Sequence, residues 1–163
     1  MLRIGFVGAG GIARAHAERL AKIDQAKITG VLDIDQARAQ QLAKTHRAKA
    51  CSSMRQLLRN SDAVYVCTPP SARLREIISC ARAGKHIFAE KPLCLTMTEA
   101  RKIARAVEKA GVRFMVGYVL RYWPNFKAVR QTVASGELGQ LQATWCNRMG
   151  LCLRGGWIED PTK

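Results

Sequence analysis

The sequence lacks the features that mark membrane-spanning and disulfide-rich proteins. Its 163 residues contain no apolar run near the roughly 20 residues that cross a bilayer. The six cysteines form no C-x-x-C pair, a pattern that argues against both a disulfide framework and a metal site. The N-terminus enters a strand at once, with no basic segment or cleavage site, so we predict no signal peptide. These absences favour a cytoplasmic globular protein with no membrane partner.

Acidic residues are also scarce. There are 12 aspartates and glutamates against 27 lysines and arginines, which gives a net charge of +15. Such a charge is found in proteins that bind nucleic acid or anionic surfaces. Here the basic residues are spread along the whole chain, and the few aromatic residues do not alternate with them as on a stacking platform. We interpret the charge as a solvated basic surface and expect no nucleic-acid partner.

The chain does contain a regular alternation of apolar strands and amphipathic helices. The predicted strands are "LRIGFV", "AKITGVLD", "DAVYVC", "KHIFAE" and "VRFMVGY". Strands that are apolar throughout and separated by helices predict a parallel sheet covered on both faces, which is a doubly wound α/β fold. The candidate N-caps are Asp35, Ser52 or Ser53, and Thr98, and the candidate helix ends are Gly84 and Gly111.

The pattern changes near residue 120. We assign residues 1–120 to a dinucleotide-binding domain of the Rossmann type, and residues 121–163 to a linking helix and the start of a second domain. The linking helix is "WPNFKAVRQTVASGELG", with Pro124 near its start. The following "QLQATWCNRMGLCL" is interpreted as the first strand of another sheet.

The segment "GFVGAGGIARAH" follows the first strand and opens a helix. Gly8, Gly10 and Ala13 fit the pattern G-x-G-x-x-G/A, in which the glycines allow a tight turn and a close approach of pyrophosphate to the backbone. Gly11 and Ile12 lie at the helix start, where free N–H groups and the helix dipole favour an anion. The segment therefore predicts a phosphate-binding loop.

An acidic residue follows at the spacing this loop requires. Asp33 lies 20 residues after Ala13, at the end of the second predicted strand. A carboxylate there can accept hydrogen bonds from both ribose hydroxyls of an adenosine and repels a 2′-phosphate. We therefore predict NAD as the cofactor and regard NADP as disfavoured.

Polar residues also follow the third and fourth predicted strands. Thr68 and Pro69 come after "VYVC", where the Thr68 hydroxyl could donate to a ribose or an amide and Pro69 would make the loop rigid. Taken alone, this segment favours the alternative of a strand-to-helix turn that merely uses proline. Glu90 and Lys91 come after "HIFA", and we predict that both belong to the cofactor-binding site. Because the carboxyl ends of parallel strands share one edge, Lys91 is expected near the nicotinamide, partly desolvated, where it could help a substrate hydroxyl lose its proton. A surface salt-bridge lysine remains the alternative for Lys91.

Together these segments resemble a family. The glycine loop, "TPP", "AGKHIFAEKPLCLTMTEA" and "VGYVLRYWPNFKAVRQTVASGELG" are similar to the glucose–fructose oxidoreductase and inositol dehydrogenase family. The resemblance implies an NAD(P)-dependent oxidoreductase acting on a sugar, polyol or related alcohol, and a homo-oligomer at full length. It implies that Lys91 contacts substrate, that Arg121 lies near the domain junction on the substrate side, and that the Lys91–Pro92 bond is cis.

The sequence departs from this family in two ways. Arg73 stands where members often carry a histidine, which leaves the contacts on the nicotinamide side open. The family also continues into a second α+β domain that supplies an aspartate and a histidine, so the chain resembles the cofactor half of a longer enzyme and we expect it to be inactive alone. The alternatives are a non-catalytic NAD-binding module and a basic nucleic-acid binder.

The three histidines are assigned structural roles. His16 is expected to be a packed or capping residue in the first helix, His46 to lie at the surface, and His86 to be buried with a partner.

Overall fold

The computed structural model describes residues 1–147 and residue 149, and in them strands alternate with helices. The elements are β1 Leu2–Val7, α1 Gly11–Leu20, β2 Ala26–Leu32, α2 Gln36–Thr45, β3 Lys49–Ala50, α3 Met54–Arg59, β4 Ala63–Val66, α4 Pro70–Arg82, β5 His86–Ala89, α5 Met97–Ala110, β6 Phe114–Val116, a 3₁₀ helix Val119–Tyr122, and α6 Pro124–Ala134. All five predicted strands are present. The sixth, β3, was not predicted, because two residues are too few to show a period-2 pattern.

The strands form one sheet in the order β3-β2-β1-β4-β5-β6, and every neighbouring pair is parallel. The chain runs outward from β1 to β3 and then returns to place β4 beside β1. This confirms the doubly wound fold. In such sheets ligands bind outside the carboxyl ends of the strands where the order reverses, which here is the crevice between β1 and β4.

Helices cover both faces of the sheet and form two apolar clusters. On one face Phe6 packs with Ala13 and Ala17 of α1, and all three are fully buried. On the other face Val64 of β4 packs with Ile77 of α4. Small residues on α1 let that helix approach β1 closely. Burial of each large apolar side chain contributes about 1.5–3 kcal/mol to the free energy of unfolding. The two clusters hold the carboxyl ends of the strands in fixed positions.

The helix α5 begins earlier than predicted. Its N-cap is Thr96, whose hydroxyl accepts a hydrogen bond from the Glu99 amide at 3.2 Å, while the Glu99 carboxylate accepts one from the Thr96 amide at 3.3 Å. This reciprocal pair is a capping box. The prediction of Thr98 as the cap was wrong, because Thr98 already lies inside the helix. The predicted caps Asp35 and Ser53 and the predicted helix end Gly111 are confirmed.

The histidines are placed only partly as expected. His86, predicted to be buried, is exposed at the start of β5, although its Nδ1 does accept a hydrogen bond from the Arg113 amide at 3.1 Å. His46, predicted at the surface, is half-buried at the end of α2. As the first residue of its strand, His86 lies at the rim of the sheet. A side chain at the rim can be exposed to solvent and still accept a hydrogen bond from a neighbouring main-chain amide.

Contacts within the chain divide it into two compact units, the first formed by Met1–Gly117 and the second beginning at Tyr118. In the second unit α6 carries Pro124 in its first turn, as predicted, and this fully described helix buries none of its residues. The described residues 140–147 and 149 form no strand, so the predicted strand is absent from them, and its other residues lie outside the described part. The assignment of residues 121–163 to a second domain stays a prediction. None of the described helices is long and apolar enough to pass through a membrane.

Candidate cofactor-binding site

Four strands of the first unit end in register at one edge of the sheet. Val7 of β1 pairs with Leu32 of β2 and with Val66 of β4, and Val66 pairs with Ala89 of β5. The residues that follow these strands therefore begin side by side. They are Gly8, Asp33, Cys67 with Thr68 and Pro69, and Glu90 with Lys91. The structure thus brings together, at the edge where ligands bind, the site residues predicted in this unit.

The glycine loop combines a close contact with an open surface. Gly8 has a φ of +92°, and a Cβ on it would lie 3.0 Å from the carbonyl carbon of Cys67. At Gly10 and Gly11 no described atom lies within 4 Å of the corresponding Cβ position. The helix α1 begins at Gly11, and no side chain in the described part caps it. Unused N–H groups under an open glycine surface fit a pyrophosphate. Ile12, in the first turn, is 45% exposed.

Asp33 already holds the main chain around the loop. Its Oδ2 accepts a hydrogen bond from the Ala9 amide at 2.6 Å, and its Oδ1 accepts one from the Asp35 amide at 2.8 Å. Sequence reasoning assigned Asp33 to ribose alone and missed its bond to the glycine loop. An ionised carboxylate has about four lone-pair positions, so two remain for ribose hydroxyls.

A basic hollow adjoins the same loop. It lies beside Ala9 and is lined by Arg14 and Glu18 of α1, by Arg38 of α2 and by His46 at the end of α2, so its two arginines outnumber its one carboxylate. Arg38 is paired with Asp35, with Nε 3.0 Å from Oδ2, but both side chains are largely exposed. Such a pair contributes little energy and leaves Arg38 free to reorient. The hollow therefore places positive charge near the end of β2, where an adenosine ribose would lie.

The Thr68 hydroxyl is hydrogen-bonded within the protein, and its predicted contact with the cofactor stays a prediction. It donates a hydrogen bond to Oε2 of Glu76, on α4. Burial raises the pKa of Glu76, an effect that this hydrogen bond and the charge of Arg73 oppose and the charge of Asp33 reinforces. The neighbouring Cys67 thiol is buried, which raises its pKa to about 12, so it stays neutral and is no nucleophile. Thr68 therefore serves the loop itself rather than offering a free donor.

Glu90 lies at the centre of a bonded cluster. Its side chain is only 8% exposed, and its Oε1 lies 2.7 Å from Nε2 of His16, which donates because an ionised carboxylate can only accept. Its Oε2 accepts the Lys91 amide at 3.0 Å. Burial alone would raise the pKa of Glu90, but these hydrogen bonds and the charges of His16 and Lys91 together lower it. His16 in turn rests edge-on against Tyr65 and Phe88, with ring centroids 5.5 and 5.1 Å apart.

Lys91 projects from this cluster. The Lys91–Pro92 peptide bond is cis, as predicted. The Lys91 side chain is exposed, so the prediction that it is partly desolvated was wrong for the protein alone. The carboxylate beside it is turned inward toward His16, which leaves the ammonium group as the polar end available at this strand terminus.

Arg73 is the largest fully buried side chain described. Its Nε donates to the Thr68 carbonyl at 2.7 Å, and its Nη1 donates to the carbonyls of Glu90 and Pro92. Burial lowers the pKa of Arg73, and the charge of Glu90 opposes that shift. The sequence left the role of Arg73 open. Its position was predictable, because Arg73, Ile77 and Cys80 share one face of α4 at helical spacing.

Arg121 belongs to the second unit, in the 3₁₀ helix Val119–Tyr122. It is exposed, and its guanidinium carbon lies 5.9 Å from the centroid of the Tyr118 ring. This distance fits a cation–π contact at the surface. Its predicted place on the substrate side stays a prediction.

Comparison with known proteins assigns the first unit. Residues 2–118 match the family GFO_IDH_MocA, described as an oxidoreductase family with an NAD-binding Rossmann fold. The chain belongs to this family. The match covers the glycine loop, the ends of β2 and β4, and the Glu90–Lys91 segment, so the resemblance predicted from these motifs is confirmed.

Several curated relatives are dehydrogenases of sugars and polyols. The chain is 34% identical to myo-inositol 2-dehydrogenase of Thermotoga maritima over 142 residues, 85% of this chain and 42% of the relative. It is 32% identical to glucose-6-phosphate 3-dehydrogenase of Bacillus subtilis over 141 residues, 86% of this chain and 40% of the relative. The chain thus spans about two fifths of the length of these curated relatives.

Solved structures show the same relationship. Scyllo-inositol dehydrogenase from Lactobacillus casei, with bound NAD(H) and scyllo-inositol, superposes with a TM-score of 0.79 at 26% identity over 85% of this chain and 42% of its own. The WlbA dehydrogenase from Bordetella pertussis, in complex with NADH and UDP-GlcNAcA, gives a TM-score of 0.81 at 27% identity over 85% of this chain and 41% of its own.

Proposed function

We propose that this chain is the NAD-binding part of an oxidoreductase that transfers hydride between nicotinamide and a sugar, polyol or related alcohol. The observation that carries the proposal is the row of four strand ends in register, which sets an open glycine loop, a carboxylate and an exposed lysine along one edge. The family and the dehydrogenases similar to this chain support it. The activity, the substrate class and homo-oligomer formation at full length are proposals for the whole protein.

The dinucleotide would bind by its phosphates at the start of α1. Gly10 and Gly11 leave the backbone N–H groups open to an anion, and Ile12 continues the first turn. Asp33 would accept the ribose hydroxyls of the adenosine while still holding the Ala9 amide. The loop is therefore already ordered before the ligand arrives, which lowers the entropic cost of binding.

Lys91 is the proposed catalytic residue. When bound, the nicotinamide supplies the hydride acceptor or donor. The Lys91 side chain is exposed. Its ammonium form can donate a hydrogen bond to a substrate oxygen, and its neutral amine form can accept the proton that a substrate hydroxyl loses as hydride leaves the carbon. Glu90 is a poor candidate for that proton, because its two oxygens are already bonded to His16 and to the Lys91 amide. Thr68 and Pro69 would border the nicotinamide, and Arg121 is proposed as a substrate contact.

Calorimetric titration with NAD tests the binding half of this proposal. We expect saturable binding to the wild-type chain and to Lys91→Ala, and a loss of at least about tenfold in affinity for Gly10→Val, whose side chain would fill the phosphate position. Lys85→Ala is the matched control for Lys91→Ala, because it removes a half-buried lysine directly before β5, at the opposite end of the strand from Lys91. A wild-type chain that does not bind NAD at millimolar concentration would overturn the proposal.

The catalytic half needs a separate experiment. Absorbance of NADH should be followed with inositols and aldoses as substrates in the protein that carries this chain. Lys91→Ala should lower kcat by about 10²–10⁴-fold, the contribution typical of a general acid or base. Equal turnover by Lys91→Ala and Lys85→Ala would remove Lys91 from the mechanism while leaving NAD binding intact.

A further inference from the structure

A buried guanidinium is expensive unless hydrogen bonds replace those it made with water. Arg73 is 2% exposed, yet it lies on α4 directly after the turn that follows β4. Its recorded hydrogen-bond acceptors are three main-chain carbonyls, and they belong to two different loops. If this position needed only to fill the core, an apolar side chain of similar volume would do so without the desolvation cost of a charge. The hydrogen bonds to two loops therefore call for another explanation.

Two of the three acceptors lie on either side of the proposed catalytic lysine. Nη1 of Arg73 holds the carbonyl of Glu90, immediately before Lys91, and the carbonyl of Pro92, immediately after it. The Lys91 amide is held separately by the Glu90 carboxylate. The main chain on both sides of Lys91 is therefore fixed by bonds that leave the lysine side chain uninvolved.

The third acceptor fixes this segment relative to the neighbouring strand end. Nε of Arg73 donates to the Thr68 carbonyl at 2.7 Å, so one guanidinium joins the loop after β4 to the loop after β5. Arginine suits this role because its donors lie in a rigid planar fork. Lysine keeps the charge but offers one nitrogen on a flexible stem, which cannot occupy the Nε and Nη1 positions at once.

We infer that Arg73 is a positioning residue that sets the main chain of Lys91 against the Thr68–Pro69 turn. We call the hydrogen bonds from Arg73 to the carbonyls of Thr68, Glu90 and Pro92 the clamp. The clamp is independent of the proposed function, whereas its expected effect on nicotinamide binding rests on that function. A loosened clamp should affect the part of the ligand near Lys91 and leave the adenosine end, bound at the glycine loop and Asp33, unchanged.

Two substitutions and a control separate positioning from a general loss of structure. Arg73→Gln removes the fork and the charge, and Arg73→Lys removes the fork alone. Arg75→Gln, at an exposed position on the same helix, is the control. Calorimetric titration of each with NAD and with ADP should show affinity for NAD about tenfold weaker in both Arg73 variants, affinity for ADP within about twofold of wild type, and no change in the control. Equal losses for both ligands, or wild-type affinity in Arg73→Lys, would overturn the inference.

A measurement on the wild-type chain covers the case in which the variants do not fold. In ¹H–¹⁵N spectra the Nε–H of Arg73 should give a resolved signal that exchanges with water at least about tenfold more slowly than that of Arg75, and the Lys91 amide should be protected. Exchange of the Arg73 Nε–H as fast as that of Arg75 would overturn the clamp. A wild-type chain that binds neither NAD nor ADP would instead count against the proposed function, and the exchange data would still decide the role of Arg73.

Discussion

Nε2 of His16 lies 2.7 Å from Oε1 of Glu90, and this contact joins the helix that follows the glycine loop to the strand end that carries Lys91. The two residues are 74 positions apart in sequence. Glu90 is 6% exposed, and Gly117 lies so close that a Cβ there would be 3.3 Å from its Oε1. The carboxylate is thus enclosed by α1, β5 and the end of β6. The pair couples the proposed phosphate-binding and catalytic ends of the site.

This contact predicts a specific dependence of stability on pH. The pKa of Glu90 is lowered in the folded protein from its ordinary value of 4.5. Its contribution to stability is therefore present above that value and is lost as pH falls through the folded pKa. Glu90→Gln should lower the free energy of unfolding at pH 7 by about 1.5–3 kcal/mol, the range for a hydrogen bond to a charged group. The difference from wild type should shrink at pH 3.

Urea unfolding at both pH values, followed by circular dichroism, measures this difference. Glu108→Gln on α5 is the control, because Glu108 is exposed and its loss should leave the stability unchanged at either pH. A destabilisation by Glu90→Gln that is the same at pH 7 and pH 3 would show that packing, not the charge of Glu90, is responsible.

The cap of α5 can be tested within one turn of helix. Thr96→Ala removes the hydroxyl that accepts the Glu99 amide and should lower the free energy of unfolding by about 1 kcal/mol. Thr98→Ala, two residues later and inside the helix, should change it by less than about 0.5 kcal/mol. Chemical denaturation of the two variants side by side decides between the caps, and the reverse order of stabilities would restore Thr98 as the cap.

The sequence was sufficient for the architecture because apolar strands and amphipathic helices repeat with clear periods. It was also sufficient for the positions of Gly8, Asp33 and Lys91, since each follows a strand and parallel strands share one carboxyl edge. It was insufficient for β3, whose two residues carry no period.

What the sequence could not supply is the pairing of polar groups inside the site. The bond between Thr68 and Glu76 and the bond between Asp33 and the Ala9 amide depend on distances between separate elements. Their partners are not fixed by spacing along the chain. A partial signal existed in α4, where the charged Arg73 lies on the same helical face as Ile77. A charge on a buried face calls for partners, and the loops at the end of that helix were the nearest candidates.

The close approach at Gly8 predicts a large effect of a single methyl group. Gly8→Ala places a Cβ at φ +92° and 3.0 Å from the backbone of Cys67, so it should lower the free energy of unfolding by about 2 kcal/mol or more. NAD affinity should fall at least about tenfold as the loop shifts. Gly84→Ala, at φ +67° with no described atom within 4 Å of the Cβ, should carry only the backbone cost of about 1–2 kcal/mol and leave NAD affinity unchanged. Thermal denaturation with calorimetric titration measures both quantities, and equal effects of the two variants on NAD affinity would show that the contact with Cys67 is unimportant.

The choice between NAD and NADP depends on Asp33 and on the basic hollow beside it. An ionised Asp33 repels a 2′-phosphate, whereas Arg14 and Arg38 in the hollow attract one. Asp33 is half-buried and fixed by the Ala9 and Asp35 amides, while Arg38 is exposed, so we expect the carboxylate to dominate and NAD to bind at least about tenfold more tightly than NADP. Asp33→Asn should reduce this preference by weakening the binding of NAD and strengthening the binding of NADP.

Asp35→Asn is the matched control, since it alters the cap of α2 and the partner of Arg38 but leaves the Asp33 carboxylate in place. Parallel calorimetric titrations with both cofactors give the ratio for each protein. Tighter binding of NADP by the wild-type chain would reverse the prediction, and Arg38→Gln would then be expected to restore the preference for NAD.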